Sequence, residues 1–143
     1  MTVPPGRALG LDLGSVRVGV ALTDPLGLTA QPFGLLKRRE LNRDLAPLLA
    51  LVASHDVTTI VVGHPLLLSG AEGASAADAA RFVERIAPVV AIPVVLWDER
   101  LTTVQAERAL REGGVRGPRR RELVDAAAAA LMLQSWLDRF RES

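Results

Sequence analysis

Residues Ala8 to Asp24 read ALGLDLGSVRVGVALTD, and the fold is decided there. Leu9, Leu11 and Leu13 alternate with Ala8, Gly10, Asp12 and Gly14. Val16, Val18, Val20 and Leu22 then alternate with Arg17, Gly19, Ala21 and Thr23. Strict alternation has the period of a strand, and it occurs twice on either side of Gly14-Ser15, so the stretch predicts a hairpin. One face of that hairpin is bulky. The other is small apart from Asp12, Arg17 and Thr23. A carboxylate in the middle of an otherwise apolar strand is costly to bury without a partner or a metal ion, so Asp12 is the first residue that needs an explanation. A turn-capping role is the plainer alternative for it.

Working outward, Leu26–Leu36 (LGLTAQPFGLL) is apolar but broken by Gly27, Pro32 and Gly34, which predicts a third, irregular strand at a sheet edge. Leu41, Leu45, Leu48, Leu49 and Val52 recur at helical spacing between Glu40 and His55. Pro47 requires that helix to start near Asp44 or to kink. Thr58–Val62 is a β-branched run suited to a strand covered on both faces, and it leads into a loop starting with Gly63, His64 and Pro65. Ser75–Val90 predicts a helix with Ala79, Phe82, Val83 and Ile86 toward the core, and Pro93–Trp97 another buried strand. Thr102 or Thr103 would cap a helix running to Glu112, stopped by Gly113-Gly114. A last helix is predicted over Arg120–Arg141, with Trp136 in the core, as is Trp97 of the strand before it. Three strands followed by alternating helices and strands argue for an α/β fold. Its mixed sheet would be antiparallel on one side and parallel on the other, with helices on both faces. With no repeat or linker in 143 residues, residues 1–143 are expected to form one domain.

Composition narrows the function classes. The formal charge is +1, so any case for nucleic acid must come from local clustering. Sixteen of the seventeen basic residues are Arg, which fits coding bias as well as function. The absence of cysteine removes disulfides and thiolate metal sites and fits a cytoplasmic protein. No signal peptide is expected, because Met1–Gly6 has no apolar core. The longest apolar run, Ile86–Trp97, is interrupted by Pro88 and Pro93 and is too short to span a membrane.

In open α/β sheets, ligands bind beyond the carboxyl ends of the parallel strands. Asp12, Gly63-His64-Pro65 and Asp98-Glu99-Arg100 fall at or near such ends. Asp125 lies one turn into an otherwise apolar helix whose Ala128 and Ala129 would let it approach the small face of the hairpin. Separated carboxylates without Cys or a His cluster suit a hard cation such as Mg²⁺ or Mn²⁺. A pair of such ions suits phosphodiester hydrolysis. Each residue has a plainer reading beside this one. Asp98 and Glu99 read equally as a solvated loop paired with Arg100, and Asp125 as an ion pair with Arg121 one turn earlier. His64 reads as a loop or packing residue rather than a ligand. Arg116, Arg119, Arg120 and Arg121 read as a solvated face or as phosphate contacts.

Gly10-Leu11-Asp12-Leu13-Gly14-Ser15-Val16-Arg17-Val18-Gly19-Val20-Ala21, Thr23-Asp24, Val62-Gly63-His64-Pro65, Asp98-Glu99-Arg100-Leu101-Thr102-Thr103 and Asp125-Ala126-Ala127-Ala128 together closely resemble the YqgF (RuvX) family. That family has been described both as candidate Holliday junction resolvases and as the candidate nuclease that matures the end of pre-16S rRNA. The resemblance implies an RNase H-like fold with a five-stranded sheet of order 3-2-1-4-5, strand 2 antiparallel to the rest. It implies a metal site on Asp12, Glu99 and Asp125, with Asp98 supporting those ligands or substituting for one. It further implies that Arg17, Arg100, Thr102 and Thr103 shape the site or touch substrate phosphates, and that Gly14, Gly63 and Pro65 form its structural loops. His64, Ser69 before Gly70, and the apolar Leu66-Leu67-Leu68 depart from the family's usual pattern.

The leading expectation is therefore a Mg²⁺- or Mn²⁺-dependent nuclease of ribosome biogenesis. It would act on precursor rRNA, in association with a ribosomal subunit precursor. The DNA alternative is a resolvase cutting branched DNA. A monomer and a homodimer both remain open, although a resolvase favours two-fold symmetry. A non-catalytic nucleic-acid-binding module of the same fold is a further alternative. Asp-Leu-Gly-Ser also resembles the phosphate loop of actin-like and sugar-kinase ATPases, but those close two lobes on a nucleotide and this chain has length for one.

Overall fold

The computed structural model describes residues 6–98 and 118–142, the side chains of 118–123 and 141–142 apart. Glu99, Arg100, Thr102, Thr103, the helix expected as far as Glu112, and the side chains of Arg119, Arg120 and Arg121 lie outside the described residues. The described elements are β1 (Arg7–Leu13), β2 (Arg17–Thr23), β3 (Ala30–Lys37), α1 (Arg38–Arg43), α2 (Ala46–Ser54), β4 (Val57–His64), α3 (Ala74–Val90), β5 (Val94–Asp98) and α4 (Pro118–Glu142). The sheet order is β3-β2-β1-β4-β5. β2 is antiparallel to β1 and β3, while β4 is parallel to β1 and β5, so β2 alone runs against the others.

The alternation of the opening hairpin becomes two cores. Leu9, Leu11, Val18, Val20, Leu22, Ile60 and Val62 face one way, onto Leu41, Leu48, Phe82 and Ile86 of the first three helices. Ala8, Ala21 and Val61 face the other way, onto Ala129, Met132, Leu133, Trp136 and Leu137 of α4. The bulky face thus meets three short or amphipathic helices, and the small face meets one long helix that comes close. At Gly19 an added Cβ would overlap the backbone carbonyl of Asp125. At Gly10 it would lie 3.0 Å from the Leu133 Cβ. Interiors are packed too densely to absorb such a group without moving the helix.

Four boundaries differ from the sequence expectation, each for a local reason. The turn after β1 is closed by a 2.7 Å hydrogen bond from Gly14 N to Arg17 O, which leaves Val16 outside β2 and 67% exposed. The third strand begins at Ala30 rather than near Leu26. The Asp24 carboxylate accepts hydrogen bonds from the backbone N–H of Leu26, Leu28 and Thr29 and winds residues 24–29 into a loop. These bonds, the one from Thr29 foremost, hold the Asp24 carboxyl below its usual range. Pro32 then sits opposite Ala21, at a register shift in the edge strand, where its missing N–H is tolerated. The single helix expected over Glu40–His55 is two helices. Asp44 is extended and its Oδ1 accepts from Ala46 N, so α2 starts afresh with Pro47 in its first turn. Finally, Gly63 and His64 belong to β4, not to the loop, because β5 pairs them with Trp97 and Asp98. The loop starts at Pro65.

The close approach at Gly19 yields a stability prediction. Gly19→Ala should cost at least about 2 kcal/mol in denaturant unfolding, because backbone rather than a flexible side chain must move. Gly34→Ala, where an added Cβ meets nothing within 4 Å, should stay within about 0.5 kcal/mol of wild type.

Candidate nucleic-acid and metal site

Asp12 is the last residue but one of β1, half-buried, and its cross-strand partner is Gly19. Alternation puts it on the side of Ala8 and Gly10, facing α4. Because Gly19 carries no side chain, the backbone of α4 rests there, and the residue at that contact is Asp125. The Asp125 carboxylate is then held by Arg17, which flanks Gly19 on the same face. Arg17 Nε donates to Asp125 Oδ2 at 2.9 Å, with each side chain about one-third exposed (33%). The two carboxylates therefore share one end and one face of the sheet although 113 residues separate them in sequence. The Arg121 side chain, which the sequence offered as an ion-pair partner for Asp125, lies outside the described residues, and the partner described is Arg17.

The hairpin that carries Asp12 and Arg17 is braced from the opposite face. Arg38 places Nη1 and Nη2 on the Oδ2 and Oδ1 of Asp78 in α3, at 2.9 and 2.8 Å. Its Nη1 also donates to the Gly14 carbonyl at 3.2 Å, and its backbone N–H to Val16 O at 3.0 Å. Its guanidinium lies 5.5 Å from the centre of the Phe82 ring. The turn between the two site residues is thus tied to α3 through one arginine. Sequence reading missed Arg38 and Asp78, because nothing local in Lys37-Arg38-Arg39 distinguishes a bracing arginine from a solvated one.

At the carboxyl ends of β4 and β5 the arrangement is different. His64 and Asp98 are register partners, and alternation puts Asp98 with Leu96 on the side of α1–α3, away from the face of Asp12. His64 Nε2 contacts Glu72 Oε2 at 3.0 Å, so it fastens the loop that follows β4, in keeping with a loop residue rather than a ligand. Trp97 lies on the α4 side, half-buried, and donates from Nε1 to Ser135 Oγ at 3.2 Å. Trp136 is buried in the hydrophobic cluster that Trp97 packs against.

Among the described residues no group of three or more His, Asp, Glu or Cys side chains could hold a metal ion. Asp12 and Asp125 supply oxygen donors only, the chemistry a hard divalent cation prefers. The Asp125 Oδ1 accepts no hydrogen bond among the described residues, which leaves it able to serve as a donor. The donor types fit such an ion. Glu99, the third ligand expected from the sequence, lies outside the described residues.

The same architecture occurs in solved structures of Holliday junction resolvases. Thermus thermophilus RuvC in complex with Holliday junction substrate superposes with a TM-score of 0.57 at 19% identity, covering 94% of this chain and 96% of that one. Fowlpox virus resolvase in complex with Holliday junction DNA gives 0.57 at 11% identity, covering 94% and 98%. The fold is thus RNase H-like. Sequence comparison is more specific. The family described as "RuvX: Holliday junction resolvase" matches residues 6–139, and the chain belongs to that family. It is 46% identical over 135 residues to a Myxococcus xanthus protein named "Putative pre-16S rRNA nuclease", covering 94% of this chain and 89% of the relative. A Synechococcus protein of the same name is 44% identical over 142 residues, covering 99% and 89%.

The Arg38 brace makes a prediction in pH. Hydrogen bonding from Arg38 holds the Asp78 carboxyl below its usual range. A carboxyl whose folded value is depressed contributes stability above its unfolded value, about 3.9, and loses it as pH falls through the folded value. Asp78→Asn should therefore lower the melting temperature at pH 7 while narrowing its gap to wild type below about pH 4. The partial exposure of Asp78 keeps the effect small at high salt.

Proposed function

We propose that this protein is a divalent-metal-dependent nuclease, and that its activity is the 5′-end maturation of pre-16S rRNA. The observation that carries this reading is the delivery of Asp125 to the Asp12 face, through the Gly19 contact and the Arg17 pair. Two carboxylates on one partly exposed face, offering oxygen donors only, are the donor set a hard divalent cation prefers. Asp12, Glu99 and Asp125 are the proposed ligands. Asp98, on the parity opposite Trp97 and Asp12, would support the ligands rather than act as one directly.

When bound, Mg²⁺ or Mn²⁺, as two ions, would supply the charge that activates water and stabilises the leaving oxygen. The chain's own share is to hold Asp125 through Arg17 Nε and to keep the β1–β2 turn in place through Arg38. Arg17, Arg100, Thr102, Thr103, Arg119 and Arg120 are the proposed contacts to substrate phosphates. The names carried by relatives at 44–46% identity favour precursor rRNA. A protein acting there works on a ribosomal subunit precursor in the cytoplasm. None of the described helices is long and apolar enough to cross a membrane.

The family description and the junction-bound structural relatives favour a second reading, a Holliday junction resolvase. It uses the same carboxylates and needs a two-fold assembly to cut both strands.

Cleavage of a pre-16S rRNA fragment and of a four-way DNA junction, each with Mg²⁺ and with Mn²⁺, separates the readings. Cleavage of the rRNA fragment, reduced at least about 100-fold in Asp12→Ala with the fold intact by circular dichroism, is expected. Cutting of the junction alone would transfer the assignment to recombination. Equal cleavage by Asp12→Ala and wild type would remove the metal-site reading. Binding without turnover in wild type would leave a nucleic-acid-binding module.

A further inference from the structure

We propose that Lys37 belongs to the nucleic-acid interface and contacts the backbone phosphate that leaves the carboxylate site over Arg17, toward the β3 edge of the sheet. This rests on the nuclease reading of Asp12 and Asp125. Lys37 is the last residue of β3 and the register partner of Arg17, so the two side chains stand on the same face at the same end of the sheet. Directly opposed side chains in an antiparallel pair have Cβ atoms about 4.5–5.5 Å apart, and like charges placed there repel. Arg17 relieves part of that repulsion by pairing Nε with Asp125, while its Nη atoms make no hydrogen bond among the described residues. Lys37 has no such relief. It is exposed, and among the described residues it makes no ion pair, not even with Glu40 one turn later in α1. An exposed lysine directly opposite an arginine that is only partly paired is a like-charge juxtaposition that an anionic ligand would relieve. The neighbouring Arg38 does not contribute to this face, because its guanidinium is committed to Asp78 and Gly14 on the other side. A phosphodiester backbone is the anion of matching form. One phosphate sits at the carboxylates and Arg17, and the next at Lys37, so the strand exits across β2 and β3 rather than across β4 and β5.

Lys37 is the one lysine in the chain, which permits a direct test. Reductive methylation with ¹³C-formaldehyde keeps the positive charge and labels Lys37 and the amino terminus alone. Titration with a pre-16S rRNA fragment or a four-way junction should shift the Lys37 dimethylamine resonance, reversibly with salt, and leave the amino-terminal resonance as internal reference. Lys37→Gln should weaken binding roughly three- to tenfold and reduce the slope of log affinity against log salt by about 0.7–0.9. Arg81→Gln, exposed on α3, should change neither. Asp12→Ala should still bind and still show the Lys37 shift, which separates this contact from the cleavage chemistry. Wild-type binding with an unmoved Lys37 resonance and an unchanged salt slope in Lys37→Gln would overturn the inference while leaving the nuclease reading intact. Absence of nucleic-acid binding by wild type would overturn both.

Discussion

At Gly19 the backbone of α4 reaches the sheet, and the rest of the site depends on that contact. A side chain at this position would overlap the Asp125 carbonyl, so the helix that closes the second core could not seat as it does. Once it is seated, Asp125 cannot avoid the neighbourhood of Asp12, because Gly19 is the residue paired with Asp12 in the ladder. The placement of two carboxylates is thus a consequence of how closely one long helix can approach one strand. Arg17 then converts proximity into orientation, taking one oxygen of Asp125.

The two faces of the sheet divide the labour. The bulky face packs Leu, Val and Ile against Phe82, Ile86, Leu41 and Leu48, as in an ordinary core. The small face packs Ala against the alanine stretch Ala126–Ala130 of α4 and widens to Met132, Leu133 and Trp136 further along. Polar groups accumulate at the end where the small residues are, since neighbouring side chains do not fill that space. Arg38 links the divisions: it is rooted in the first core by Asp78 and Phe82, yet it holds the Gly14 turn on which the second face's Asp12 and Arg17 depend.

Much of this was legible in the chain itself. Alternation gave both strands of the hairpin and the faces of their residues. The Ala-rich stretch after Asp125 correctly implied a close helix, and the third strand's irregularity followed from Pro32. What failed to be legible was decided by single side chains acting across space or by turn chemistry hidden in an apolar run. Asp24 gathers three backbone N–H groups and delays β3 to Ala30. Asp44 and Pro47 divide a helix whose hydrophobic spacing runs through the break. Pairing with β5 draws Gly63 and His64 into β4 although Gly-His-Pro reads as a loop.

The sequence by itself determined which face each strand residue occupies, the order of the strands, and the residue types available for chemistry, because periodicity and composition are local properties. Only the tertiary structure decided that Asp125 pairs with Arg17, that Asp98 stands on the parity opposite Asp12, and that Lys37 and Arg17 stand together. Those outcomes depend on ladder register and on the distance between a helix and a sheet, and both are set by groups far apart in the chain. For Asp12, the uncomfortable carboxylate of the opening hairpin, the physical reason is the missing side chain of its partner. Gly19 makes room for the helix that brings the second charge.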